Sequence, residues 1–377
     1  MYVFFYFLSS FPALALNFGL GNVPVRYLAL PALMCFSEFK KVDLLLLVAA
    51  LFHIMYSLIS VGFRPFSLLD FSYVLAYIYI LLGVAVVRRN PGFFRVFVIV
   101  FWWINIAYAF YQDFFLMLGG DQLWVLMHEN THDLSYVIPQ VEFLPYLYRI
   151  TGLFVESAPF VIYLMITQLA FSVLAVSRWL KYLNLVFIFL AGAKIGYVFL
   201  LFMAISFVVS KLGVRLLKFM VLGVLLLLSF APLLLSLILE AGSFQSLWVR
   251  LSSFYAVVLD FSSDTLGLLF GYGMVSSTQL MSGDFEGPMR GIDFFSTYIY
   301  ANGLLGSLLL LCPLGFWIAS NGRGLSMVQK NFSSLILFLS LLTMGSLLNF
   351  QYAYYFFVLA FSSCSAGKKY VSSQENN

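Results

Sequence analysis

"DLLLLVAALFHIMYSLISV", residues 43–61, carries only Asp43 and His53 as groups that could charge near neutral pH. A helix of this length is about 30 Å long, the thickness of a bilayer's hydrocarbon core. Comparable runs recur along the 377 residues, for example "VFVIVFWWINIAYAFYQDFFLML" at 96–118. The composition agrees, with 63% hydrophobic and only 10% charged residues. A soluble domain carries about 25% charged residues, so this chain has too few to cover a wet surface. The runs do not alternate apolar with polar residues, which excludes a membrane β-barrel. The expectation is an all-α polytopic integral membrane protein, with residues 1–377 as a single membrane domain.

Window hydropathy places spans at roughly 2–18, 22–37, 43–61, 67–87, 96–118, 157–177, 182–193, 195–210, 219–239, 294–319, 331–348 and 350–365. The stretch 182–210 is long for one crossing and short for two, and the last two spans could be one bent helix. Eleven or twelve crossings are therefore expected. The start, "MYVFFYFLSS", lacks the basic n-region of a cleaved signal and reads as a retained first span. Basic clusters at Lys40/Lys41, Arg88/Arg89/Arg95, Arg178/Lys181, Lys211/Arg215/Lys218, Arg323/Lys330 and Lys368/Lys369 are assigned to the cytoplasm. That leaves two larger loops outside, 119–156 and 240–293, and puts both termini in the cytoplasm. The loops hold eleven of the sixteen acids. The formal charge of +4 says little by itself, and no nucleic-acid partner is expected. Cys35, Cys312 and Cys364 have no metal-like spacing and read as packed thiols.

Four stretches could carry chemistry. "HENTH" at 128–132 matches the zincin spacing, in which two imidazoles share a helix face beside a carboxylate. Against it, Asp133 adds charge where such a helix continues uncharged, and no soluble domain surrounds the motif to form a cleft. In "YRITGLFVESAPF", 148–160, Ser157 and Pro159 read as the start of a span, with Glu156 at the positive end of its dipole. If 149–156 were helical, Arg149, Gly152 and Glu156 would share a face; the alternative is an interfacial ion pair that seats the loop. In "LAGAKIGYVF", 190–199, Lys194 lies between Gly192 and Gly196. An ammonium there costs about 2.5–3.5 kcal/mol at a helix centre, so it reads either as a cation facing an anion or as one paired with a carboxylate such as Asp113. The second loop offers Arg250, Arg290, the Gly271-Tyr272-Gly273 turn and Asp293, with much of 250–270 amphipathic enough to lie on the membrane surface. Arg149, Lys194, Arg250 and Arg290 on an otherwise acidic face suit a multiply charged anion such as a lipid pyrophosphate.

Four elements in order resemble the O-antigen polymerase family, within the group that also contains O-antigen ligases. They are Arg149-x-x-Gly152-x-x-x-Glu156-x-x-Pro159, Ala193-Lys194-Ile195-Gly196, Arg250 with "LLFGYG", and "DFFSTYIYANGLLG". The resemblance covers roughly 140–310 and implies a GT-C-type glycosyltransferase of the bacterial inner membrane. Such an enzyme joins undecaprenyl-pyrophosphate-linked oligosaccharide repeats, donor to acceptor, on the periplasmic side, with neither metal nor cofactor. A chain-length regulator protein and membrane lipids are the further partners it implies. Carried over, Arg149, Lys194 and Arg250, joined by Arg290, would hold pyrophosphate or sugar. Glu156 and Asp293 are the candidate bases, and the residues do not choose between them.

The ligase branch typically carries a histidine in the second outer loop, which this chain lacks: its histidines are His53, His128 and His132. A flippase or other transporter of lipid-linked oligosaccharide is the main rival. It would need its essential charges at mid-membrane, whereas polar residues here concentrate in the two loops.

Overall fold

The computed structural model describes residues 15–17, 22–24, 34–35, 37–62, 69–89, 91–120, 140–141, 144–154, 157–212, 245–273, 295–343 and 356–363. The expected span 219–239 lies outside them, as do His128, His132, Glu156, Arg290 and Asp293. The fold is helical, with two small antiparallel hairpins. Strand β1 (Ala15–Asn17) pairs with β2 (Asn22–Pro24), and β3 (Gln140–Val141) with β4 (Leu144–Tyr148). The first hairpin corrects the boundaries expected at 2–18 and 22–37. Gly19, Gly21 and Pro24 make helix costly there, and the two short segments pair instead.

The helices run α1 (Lys41–Ile59), α2 (Leu69–Arg89), α3 (Pro91–Met117), α4 (Ser157–Val173), α5 (Arg178–Leu190), α6 (Lys194–Leu212), α7 (Gln245–Ser263), α8 (Thr265–Phe270), α9 (Tyr300–Asn321), α10 (Met327–Thr343) and α11 (356–363). Among the described residues, three helical stretches are long and apolar enough to cross a membrane: Lys41–Gly62, Pro91–Met117 and Thr297–Gly324. The surface is apolar as well. On α1 alone Leu44, Val48, Leu51, Phe52 and Met55 are exposed, a stripe that suits lipid and not water. The ambiguous stretch 182–210 resolves into a hairpin of two helices, α5 and α6, hinged at Gly192.

Helices in lipid gain no hydrophobic drive from meeting one another, so close packing and interhelical hydrogen bonds hold them. Asn184 on α5 is one such bond centre. Its Oδ1 accepts from Trp102 Nε1 on α3 at 2.9 Å, and its amide donates to Leu164 O and Gln168 Oε1 on α4, both at 2.9 Å. A second lies where α1 begins and α2 and α9 end, beside Lys40, Lys41, Arg89 and Arg323; we call this the basic end. Arg88 grips Asp43 with both terminal nitrogens, and each side chain is only 1% exposed. Asp43 also accepts from Lys40 N at 2.7 Å and Trp317 Nε1 at 2.9 Å. Arg88 reaches Asn321 Oδ1 at 2.5 Å, and Ser362 on α11 donates to Asn321 O. Asp43 therefore serves four donors and joins α1, α2 and α9, and Asn321 extends the network to α11. Nothing about it marks a reacting group.

Candidate functional site at the loop end

The opposite end of the bundle carries the described parts of the two loops, and its first element is the segment after β4. Residues 149–154 turn without forming a helix, and Gly152 takes a left-handed φ of +57°. The condition for a helical face shared by Arg149, Gly152 and Glu156 is therefore not met over 149–154. A Cβ at Gly152 would stand 2.7 Å from the Phe160 ring and 3.2 Å from Asn105 Oδ1, so glycine is required both for the turn and for the close approach.

Irregular backbone buried among apolar helices must find partners inside the protein. They come from α3. Gln112 Oε1 accepts from Thr151 N at 3.2 Å and Gly152 N at 2.9 Å. Gln112 Nε2 donates to Thr151 Oγ1 at 2.9 Å and Gly152 O at 3.1 Å. Asn105 Oδ1 accepts from Leu153 N at 3.3 Å, and Asp113 Oδ1 from Tyr148 N at 2.9 Å. Asp113, offered by sequence as a partner for Lys194, thus holds the backbone next to Arg149. Ile150, Thr151, Leu153 and Phe154 are buried, and Arg149 is half-buried at the head of the turn.

Lys194 is the first residue of α6, at the tip of the α5–α6 hairpin, and is half-buried. Gly192 makes the tip with φ +69°, and Gly196 lets the arms close. A Cβ at Gly196 would stand 3.0 Å from Ile188 O and 3.0 Å from Val161 Cγ1. Gly152 thus packs on Phe160 and Gly196 on Val161, two consecutive residues of α4. The segments bearing Arg149 and Lys194 both pack on the first turns of one helix. With 13 residues, α5 is about 20 Å long, shorter than a bilayer's hydrocarbon layer.

The second-loop elements assemble on α1 and α9 instead. Arg250 lies on α7, which exposes Phe254, Tyr255, Val258 and Leu259, the apolar face expected of a helix at the membrane surface. Asp264 caps α8 by accepting from Leu266 N at 3.0 Å. Gly271-Tyr272-Gly273 then crosses the start of α9, where Tyr272 N donates to Tyr300 O and Gly273 N to Ala301 O, both at 2.9 Å. Gly303 breaks α9 with φ +63° and ψ −174°. Added Cβ atoms on Gly271 and Gly303 would each strike the other strand's backbone. Tyr56 Oη lies 2.9 Å from Phe270 O and 2.6 Å from Asn302 O, within reach to donate to either. Phe261, Tyr272 and Tyr300 pack as a ring cluster, with Tyr272 and Tyr300 centroids 4.7 Å apart. Burial, reinforced by Asp264, pushes the Tyr272 phenol up to about 12, so it remains a neutral donor.

Sequence reasoning passed over Asn105, Gln112, Tyr56, Asp43 and Asn184. Asn105 and Gln112 did leave a signal: two amides seven residues apart, on one face of an otherwise apolar run. Among the described residues, no group of three or more His, Cys, Asp or Glu could hold a metal. No family model matches this chain, and neither does any curated protein.

Proposed function

We propose that the protein is a membrane glycosyltransferase that polymerises oligosaccharide repeats carried on undecaprenyl pyrophosphate. The basic end would face the cytoplasm and the loop end the periplasm, in a GT-C-type bundle of eleven or twelve crossings. The observation that carries this reading is the docking of the Arg149 and Lys194 segments on the first turns of α4. Two cations on fixed backbone among apolar helices suit a lipid-borne pyrophosphate better than a soluble substrate.

In the reaction, an acceptor hydroxyl attacks the anomeric carbon of the donor repeat. A glycosidic C–O bond forms, the C–O bond to pyrophosphate breaks, and the hydroxyl proton passes to a carboxylate, Glu156 or Asp293. Arg149, Lys194 and Arg250, with Arg290, would bind the pyrophosphate and balance the charge it gains on leaving. The pyrophosphate is already a good leaving group, so the reaction calls on no metal.

The test is surface-polysaccharide length. Deleting the gene in its host should leave single repeats on a gel, and the wild-type gene should restore the ladder. Arg149→Ala, Lys194→Ala and Arg250→Ala should each reach the membrane and still give single repeats. Full-length ladders from all three would sink the site assignment. The break in α9 at Gly303 favours a second reading, since discontinuous helices also build the sites of secondary transporters. A flippase for the same lipid would leave unmodified repeats on the inner leaflet when deleted.

A further inference from the structure

The segment from Tyr148 to Leu153 is held by side chains of α3, and one of them carries most of the bonding. A primary amide offers two N–H donors and one oxygen with two lone pairs. Gln112 uses all four: the oxygen on Thr151 N and Gly152 N, the nitrogen on Thr151 Oγ1 and Gly152 O. Gln112 and Thr151 are each 1% exposed, and the partners lie 39 and 40 residues away in the chain. Gln112 does what an adjacent β-strand would do, giving an irregular turn a ladder of hydrogen bonds on both its N–H and C=O sides. The turn it fixes is the one that begins at Arg149, with the left-handed Gly152 at its centre packed on Phe160.

We infer that Gln112 is the positioning residue for Arg149, setting the place at which the guanidinium meets a polyprenyl pyrophosphate. This rests on the proposed function above. With Gln112 truncated, Thr151 N and Gly152 N lose their acceptor, and Thr151 Oγ1 and Gly152 O keep only their long bond to each other at 3.5 Å. The turn then relaxes toward other satisfied arrangements that carry Arg149 away. Asn105 and Asp113 each hold one end, at Leu153 and Tyr148, so the loop stays attached to α3 while its middle moves.

The experiment is a double-mutant cycle on the purified full-length protein in lipid nanodiscs, reading the affinity for farnesyl diphosphate as a short polyprenyl pyrophosphate. Arg149→Ala should weaken binding about tenfold or more, the range expected for losing a charge-assisted contact. Gln112→Ala should weaken it to a similar degree, and the double variant should be no weaker than Arg149→Ala alone, because Gln112 acts only through Arg149. Asn184→Ala removes an equally buried amide far from the turn, and should lower thermal stability while leaving the affinity unchanged. Losses that multiply in the double variant, or wild-type affinity in Gln112→Ala, would overturn the positioning role while leaving the pyrophosphate reading intact. Unchanged affinity in Arg149→Ala would instead overturn the pyrophosphate reading. Should Gln112→Ala not fold, Gln112→Glu takes its place in the cycle. It keeps the acceptor oxygen but, when ionised, loses both donors, and the same comparison with Arg149→Ala decides.

Discussion

The two ends of the bundle bury polar groups in opposite ways. At the basic end the central bonds join side chains: Asp43 and Arg88 bind each other, and Trp317 and Asn321 join them, with Lys40 N a backbone donor to Asp43. At the loop end the partners are backbone. Gln112, Asn105, Asp113 and Tyr56 each hold N–H or C=O groups of a turn, and Gly271 and Gly303 let two strands touch. A side-chain network fixes how helices sit against each other. A side-chain-to-backbone network fixes the conformation of a loop that has no regular structure of its own. The first is what a scaffold needs, and the second is what a site needs, since irregular backbone buried among apolar helices survives only where it is satisfied.

Damage at the two ends should therefore read out differently. The largest effect is expected at Asp43. Asp43→Ala leaves the Arg88 guanidinium buried without its carboxylate, a loss of about 3–5 kcal/mol, visible as little folded protein in membranes. Replacing the pair together, Asp43→Leu with Arg88→Met, should recover most of that loss, because no unpaired charge remains. Next comes Gly303→Ala, where a left-handed φ and a backbone clash coincide. It should lose about 3 kcal/mol of stability, measured by thermal denaturation in detergent. Gln112→Ala should lose about 1–3 kcal/mol on the same assay, the range for stranding buried polar groups, while the gel ladder collapses further than that stability loss explains. Lys40→Ala removes the exposed bond from Lys40 Nζ to Ser363 Oγ and should stay within about 0.5 kcal/mol of wild type. If Asp43→Ala instead left stable protein, or Gln112→Ala an intact ladder, the division of labour between the ends would not hold.

The long helices were legible because hydropathy is local. The run read as 43–61 is helix Lys41–Ile59, and 96–118 lies within Pro91–Met117 apart from its last residue. Gly192 and Gly196 were legible as a break and a close approach, and Gly271 and Gly273 as a turn, which is the geometry they have. For Gly152 a helical face was one alternative, and its left-handed φ rests on Phe160 and Gln112, which a linear reading does not bring near. Likewise Asp43 looked like a single acid inside a span, and Arg88 like one member of a topogenic cluster, because their partnership bridges 45 positions. The hairpins β1–β2 and β3–β4 left no alternating pattern, being only two to five residues per strand. The cation at Lys194 was found by its cost in an apolar context, and that signal needs no tertiary knowledge, whereas Arg149 was found by its spacing to Gly152 and Glu156.

The central claim is that the loop end breaks a bond to a lipid pyrophosphate. The direct measurement uses purified protein in proteoliposomes containing the lipid-linked repeat, following polysaccharide length and free undecaprenyl pyrophosphate together. One pyrophosphate released per glycosidic bond formed, and neither product with Arg149→Ala, is the expected result. Movement of the intact lipid-linked repeat across the membrane with no pyrophosphate released would contradict it.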